Sequence, residues 1–228
     1  MLVRIPQVLK SEQVAALRAK LDDASAPWVD GRVTAGHMGS KVKHNSQIAE
    51  GSVLARELGE IVLGALERNA QFISAALPAR VYPPMFNRYQ PGMQFGDHVD
   101  NAVRLIPGSA LQIRTDISAT LFLTAPEDYD GGELVVEDHY GHHSARLPAG
   151  DLLIYSADSV HRVTPVTRGA RVSCFFWVQS MVRDDAQRRL LYDLDRSVQR
   201  LNAAGADEQA RLTLTGCYHN LLRMWSHA

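Results

Sequence analysis

Between about Arg80 and Gln179 the chain is a succession of short β-type runs, RVYPPMFNRY, ISATLFLTA, ELVVED, SARLP, DLLIY, HRVTPV and RVSCFFWVQS. They are punctuated by PGM, DYDGG, YGHH, LPAGD and TRGA, with no long helical period among them. Many short strands separated by turn residues predict a sheet closed into a barrel or a sandwich. The Pro83-Pro84 pair argues against one uninterrupted central strand at that point. Helical patterns flank the segment. Ser11 can cap a helix with Val14, Leu17 and Leu21 on one face, and Ser52 another with Leu54, Leu58, Ile61, Val62 and Leu66. After Asp184 the helical period returns through Leu190, Leu191, Leu194 and Val198, then Leu212, Leu214, Leu221, Leu222 and Trp225. Between the first two helices, WVDGRVTAGHMGSKVKHN reads as a short strand and an exposed loop. The expected class is α+β, with residues 1–182 as one unit whose β core spans about 80–180, and 183–228 as a helical extension that braces the barrel or packs on another subunit.

Composition narrows the function. With 228 residues and 46% apolar content, one substantial core is expected. Lys and Arg total 24 against 25 Asp and Glu, for a formal net charge of -1, so no basic field marks a nucleic-acid or anionic-membrane partner. The start MLVRIPQVLKSEQ has no apolar signal region, and no stretch reaches the roughly 18 apolar residues of a membrane span. A soluble, cytoplasmic protein is expected. Cys174 and Cys217 are too few and too far apart to form a disulfide framework or a thiolate metal site.

His98-Val99-Asp100 lies in the β segment, and His161 follows much later. Residues two apart on a strand point to the same side, so one short strand can present both His98 and Asp100. An antiparallel fold can return His161 opposite them. Two imidazoles and one carboxylate bind one face of non-haem Fe(II) and leave about three positions open. An H-x-D alone is common by chance. Arg171 adds an independent constraint, because it shares a strand face with Ser173, Phe175 and Trp177 that would line the pocket. Its guanidinium suits the distal carboxylate of 2-oxoglutarate, the ordinary alternative being a surface ion pair. Phe175 and Trp177 would screen the iron from water or simply fill core.

At these residues the chain resembles the PKHD-type hydroxylases, bacterial relatives of the prolyl and lysyl hydroxylase branch of the Fe(II)/2-oxoglutarate dioxygenases. The resemblance is strongest in FNRYQPGMQFGDHVDNA, SATLFLTAPEDYDGGELVVEDHYG and LPAGDLLIYSADSVHRVTPVTRGARVSCFFWVQSMVRD. It implies a double-stranded β-helix core of the jelly-roll, cupin-like kind, iron held by His98, Asp100 and His161, and 2-oxoglutarate held by Arg171. It also implies dependence on L-ascorbate and a link to iron acquisition. Tyr89 stands where related prolyl hydroxylases place a tyrosine that touches the co-substrate. Phe122 stands near a second tyrosine of some relatives, and Thr120, on the same strand face, can supply the missing hydroxyl.

The expected activity is therefore hydroxylation of an unactivated C–H bond, with 2-oxoglutarate, dioxygen and an unidentified organic substrate as partners and succinate and carbon dioxide as co-products. Two rivals remain at this stage: a cupin-type metal enzyme without 2-oxoglutarate, which LPAGDLLIYSADSVHRV also fits, and a non-catalytic ligand-sensing module. The stretch NAVRLIPGSALQIRTD is long for a connection and suits a lid, with Arg104 and Arg114 available to an acidic substrate. Adjacent His142 and His143 would alternate sides of a strand and suit a surface hairpin better than a metal. His37 and His44 can reach the pocket mouth from the N-terminal loop. The leucine-rich terminal helices suggest a homo-oligomer.

Overall fold

The computed structural model describes residues 1–36, 39–138 and 140–227. Two antiparallel sheets carry the architecture. The larger, with eight strands, runs in the order Leu2–Ile5, Leu152–Ser156, Ile117–Phe122, Arg171–Ser180, Met85–Tyr89, Ser46–Ile48 and Trp28–Asp30, and Pro78–Val81 pairs with the far end of Arg171–Ser180. The smaller runs Gly141–Ala145, Leu134–Asp138, His161–Val163, Gln94–His98 and Lys43–His44. Neighbours in each sheet are mostly distant in sequence, as a double-stranded β-helix requires.

Period-two alternation makes the sheets work as layers. In Arg171–Ser180, the residues Val172, Cys174, Phe176 and Val178 pack with Phe86, Ile117, Leu121 and Ile154 against the helices Ser11–Leu21, Val53–Leu66 and Ala70–Ala76. The opposite face meets the smaller sheet, where Tyr89, Phe122, Leu153 and Tyr155 pack against Leu134, Val136 and Val163. One sheet thus has a dry helical side and a side turned toward the second sheet. The Pro83-Pro84 pair falls between Pro78–Val81 and Met85–Tyr89, as the sequence requires.

The helices begin where short polar side chains can satisfy free amides. The Ser52 hydroxyl accepts from the Ala55 amide at 3.1 Å, and Asp184 caps Asp185–Ala203 through the Gln187 amide at 2.8 Å. Ser11 is not a cap. It is the first residue of its helix, and the end is closed by Gln13 Oε1 accepting from the Lys10 amide at 3.0 Å. The helix Asp185–Ala203 leans on Ala70–Ala76, where Ser74 donates to Asp195 at 2.5 Å, and Leu191 is buried with Leu77 and Val182. Among the described residues no helix is long and apolar enough to cross a membrane.

Two segments hold more regular structure than the sequence suggests. The segment read as one strand and a loop after Trp28 holds a strand, Trp28–Asp30, a 3-10 turn, Gly31–Thr34, a short helix, Gly39–Val42, and the strands Lys43–His44 and Ser46–Ile48. Residues 37 and 38, with the expectation for His37, lie outside the described residues. The stretch after Asn101, expected as a long connection suited to a lid, is built as a two-stranded hairpin in which Val103–Leu105 pairs with Gln112–Arg114.

Candidate active site

His98 ends the strand Gln94–His98, and His161 opens His161–Val163 as its cross-strand partner. Asp100 does not share the strand of His98 as expected: the strand ends at His98, and the irregular chain beyond it brings the Asp100 carboxylate to both imidazoles. One ligand atom from each of His98, Asp100 and His161 lies within 4.8 Å of the others, and His161 Nε2 stands 3.6 Å from Asp100 Oδ2. Donors that share an ion at about 2.0–2.2 Å sit roughly 3–4 Å apart, so small side-chain rotations close this set on a metal.

The surrounding hydrogen bonds fix which atoms face that point. His98 Nδ1 meets the Gly96 carbonyl at 2.8 Å and His161 Nδ1 meets the Ser159 carbonyl at 3.0 Å. A carbonyl only accepts, so each Nδ1 carries a proton and Nε2 is the ring nitrogen left to face a metal. The Ser118 hydroxyl donates to Asp100 Oδ2 at 2.6 Å and orients the carboxylate. Phe95 stacks on His98 with ring centroids 3.5 Å apart, and Tyr155 meets His161 edge-on. Burial, reinforced by the neighbouring His161, holds the pKa of His98 well below the ordinary histidine value. The ring is neutral at pH 7, which is the ligating form.

Arg171 is 1% exposed. Its Nη1 donates to the Ser173 hydroxyl at 2.7 Å, which in turn donates to Asn87 Oδ1 at 2.6 Å. Its guanidinium lies 5.4 Å from the Tyr89 ring centroid and 5.2 Å from that of Phe122. Among the described residues no carboxylate comes within 4.0 Å of it, and its Nε has no acceptor. A buried cation with an unspent donor is expensive unless an anion completes it. The chemistry of the pocket therefore fits both groups: two imidazoles and a carboxylate for a divalent metal, and a buried guanidinium with no carboxylate partner among the described residues for an organic acid.

These groups line one cavity of about 300 Å³ between the sheets. Tyr89 and Thr120 both reach it and are buried. Burial pushes the Tyr89 phenol up to about 12, against the opposing pull of Arg171. Arg171, Ser173, Phe175 and Trp177 do share the face turned to the cavity. Arg104 also lines it. Arg114 does not serve as a free cation: it clasps Asp116 through Nε to Oδ1 at 2.6 Å and Nη2 to Oδ2 at 2.9 Å. His142 and His143 lie on the exposed hairpin formed by Leu134–Asp138 and Gly141–Ala145, paired with Glu137 and Asp138. His44 is exposed in its strand and does not line the cavity.

Three lining residues escaped the sequence reading. Tyr155 is buried opposite Ser118, its phenol pushed well above its ordinary value by burial and by Asp100, with Thr120 and Arg171 pulling the other way. The alternation of DLLIYS carries that signal, since Tyr155 shares its face with Leu153. Ser118 was equally readable, two residues before Thr120. Lys43, 6% exposed, had no local signal. Its strand has two residues and exists only through its pairing with Gln94–His98.

Residues 84–179 match the family model of the 2OG-Fe(II) oxygenase superfamily, and residues 185–227 that of the PKHD-type hydroxylase C-terminal domain. The fold and the metal-ready cavity thus belong to a 2-oxoglutarate-dependent oxygenase. A PKHD-type hydroxylase of Burkholderia ambifaria (strain MC40-6) is 64% identical over 226 residues, covering 99% of both chains, and one of Stenotrophomonas maltophilia (strain K279a) is 57% identical with the same coverage. The chain belongs to the PKHD-type hydroxylase family. Among solved structures, a Pseudomonas putida prolyl-4-hydroxylase superposes with a TM-score of 0.54 at 20% identity, over 78% of this chain and 92% of that one. The carbocyclase SnoK from nogalamycin biosynthesis superposes with a TM-score of 0.55 at 17% identity, over 79% and 80%. At such identities the likeness is one of fold, the double-stranded β-helix, and the two neighbours' different names show why fold alone does not choose a substrate.

Proposed function

We propose that this hydroxylase inserts oxygen into an unactivated C–H bond of an organic substrate at the cavity described above, with His98, Asp100 and His161 as the ligands of Fe(II) and Arg171 as the anchor of 2-oxoglutarate. The observation that carries the reading is the convergence of three metal-type donors beside a buried guanidinium that lacks an anion. Bound together, Fe(II) and 2-oxoglutarate supply the oxidising chemistry that consumes dioxygen and yields succinate and carbon dioxide. The protein's own contribution is placement. Nε2 of each histidine and the Ser118-held carboxylate of Asp100 would hold the metal through three protein donors, a set that suits non-haem Fe(II). Arg171 fixes the far carboxylate of the keto acid, and the hydroxyls of Tyr89, Thr120 and Tyr155 stand as further donors to it. Phe95, Phe175 and Trp177 keep the cavity dry, so that no catalytic proton relay is needed.

Family likeness supports two further parts of the reading: ascorbate keeps the iron ferrous, and the activity is linked to iron acquisition. The two well-separated cysteines suit a reducing, cytoplasmic compartment. Residues 1–182 act as the catalytic unit and 183–228 as a helical extension. The test is anaerobic loading with Fe(II) and 2-oxoglutarate, followed by oxygen exposure with pools of peptides, amino acids and small metabolites. Succinate and a one-oxygen mass gain are expected together, and Arg171→Ala is expected to keep metal while losing both. Turnover that needs no 2-oxo acid would favour a cupin-type enzyme, and ligand binding without succinate in any pool would favour a sensing module.

A further inference from the structure

The cavity has a second cationic pole that the reaction outlined above leaves unused. Lys43 Nζ is buried, held by Thr34 Oγ1 and Gln47 Oε1, each at 3.2 Å. It stands 5.3 Å from the ring centroid of Phe95 and 5.7 Å from that of Phe175. The Arg104 guanidinium, carried in by the hairpin, lies 4.2 Å from the Trp177 ring centroid and 5.0 Å from that of Tyr82, and its Nε has no acceptor. Neither cation has a carboxylate within 4.0 Å among the described residues. The acids nearby are otherwise engaged: Glu50 accepts from the Tyr82 hydroxyl at 2.6 Å, Asp30 pairs with Arg32, and Asp100 belongs to the metal set.

The long strand measures how far this pole is from the first. Arg171, Phe175 and Trp177 lie on one face of it, so at about 3.3 Å per residue the Arg104-bearing end is roughly 20 Å along the backbone from the Arg171 end. Lys43 lies between, beside the ring that stacks on His98. A five-carbon diacid spans only about 5 Å between its terminal carbons on bonds of about 1.52 Å. With one carboxylate on Arg171 and the other end at the metal, it does not extend to Trp177 and Arg104.

We propose that Lys43 and Arg104 form the anion subsite of the primary substrate, which is therefore a carboxylate-bearing molecule whose charged group docks between these two cations while its reacting carbon faces the metal. The inference rests on the reading of the inner site as a 2-oxoglutarate site. Two convergent cations flanked by Phe175, Trp177 and Tyr82 favour a carboxylate attached to an apolar segment. The cavity of about 300 Å³, shared with the co-substrate, is at the small end of ligand pockets and admits a small acid or one side chain.

The test uses the full-length protein loaded with Zn(II), a redox-silent substitute, and saturating 2-oxoglutarate. Ligand-detected NMR then compares matched carboxylates and carboxamides, offered both as free small acids and as capped acidic dipeptides. The carboxylates are expected to bind at least about tenfold more tightly than the amides, a difference of about 1.4 kcal/mol. Lys43→Met and Arg104→Met are each expected to abolish that preference with 2-oxoglutarate affinity unchanged, while Arg104→Lys retains it. The arm that binds, free acid or dipeptide, identifies the source of the carboxylate. Equal binding of acids and amides, no binding of any acid, or a preference that survives in both Met variants overturns the subsite. Loss of 2-oxoglutarate affinity in the Met variants also overturns it, because those cations would then hold the co-substrate. Failure of the unaltered, metal-loaded protein to bind 2-oxoglutarate would instead remove the inner-site reading, and the acid-against-amide comparison would still judge Lys43 and Arg104.

Discussion

Arg171 is a buried cation whose ordinary partners are missing. Its charge is buried, its Nε lacks an acceptor, and its charged surroundings include no carboxylate within 4.0 Å among the described residues. Replacing such a group by an apolar one of similar size is often neutral or stabilising by about 1–4 kcal/mol in the absence of the partner. Arg171→Met is therefore expected to melt no lower than the unaltered protein when both lack 2-oxoglutarate. Adding the keto acid at about 100 times its Kd should stabilise only the unaltered, metal-loaded protein, by about 2.7 kcal/mol; calorimetric melting reads both. Ser118→Ala frees the Asp100 carboxylate, and loss of such an orienting contact is expected to weaken metal affinity by about 10–100-fold in a competition titration. His98 gives a pH signature. Its pKa is depressed in the folded state, to about 4, so between there and the ordinary 6.5 the unfolded chain binds more protons. The metal-free protein should lose stability as pH falls through that window, and His98→Gln should flatten the loss in urea titrations. At this scale the sequence was most legible in the spacing of Arg171 and Ser173 on one strand, whereas Asp100 was expected on the strand of His98 and lies in the irregular chain just past its end.

At the scale of elements, alternation carried the information. Arg171–Ser180 reads as a strand with polar and aromatic residues on one face and Val172, Cys174, Phe176 and Val178 on the other, and the two faces meet different layers. Phe176, 1% exposed, packs its ring against Phe72 in the core on the helical side. Phe176→Ala is expected to cost about 3–5 kcal/mol in denaturant unfolding, without altering the metal-binding set. Elements made by long-range pairing were not legible. Leu2–Ile5, Lys43–His44 and Ser46–Ile48 are two to four residues long, carry no hydrophobic period of their own, and exist because Leu152–Ser156, Gln94–His98 and Met85–Tyr89 offer them edges. Lys43 was invisible for that reason, and of the two arginines offered to an acidic substrate or to plain loop charge, Arg114 takes the second course through Asp116.

For the whole molecule, the helices Asp185–Ala203 and Glu208–Trp225 pack on the flank where Leu77 and Val182 are buried and leave Leu212 and Met224 exposed. If they join copies of the chain, sedimentation should show a mass that rises with concentration, and a constant monomer mass would restrict them to bracing the barrel. What unites the molecule is the cavity between the sheets, where three donors and a guanidinium from distant stretches come together only when both layers close. Calorimetric titration under anaerobic conditions, with Mn(II) as the spectator metal, addresses that arrangement directly. One metal per chain, 2-oxoglutarate binding only to the metal-loaded protein, and loss of about 2–5 kcal/mol of that binding in Arg171→Ala are predicted. Keto acid binding of equal strength to the metal-free protein, to His161→Ala and to Arg171→Ala would contradict the account.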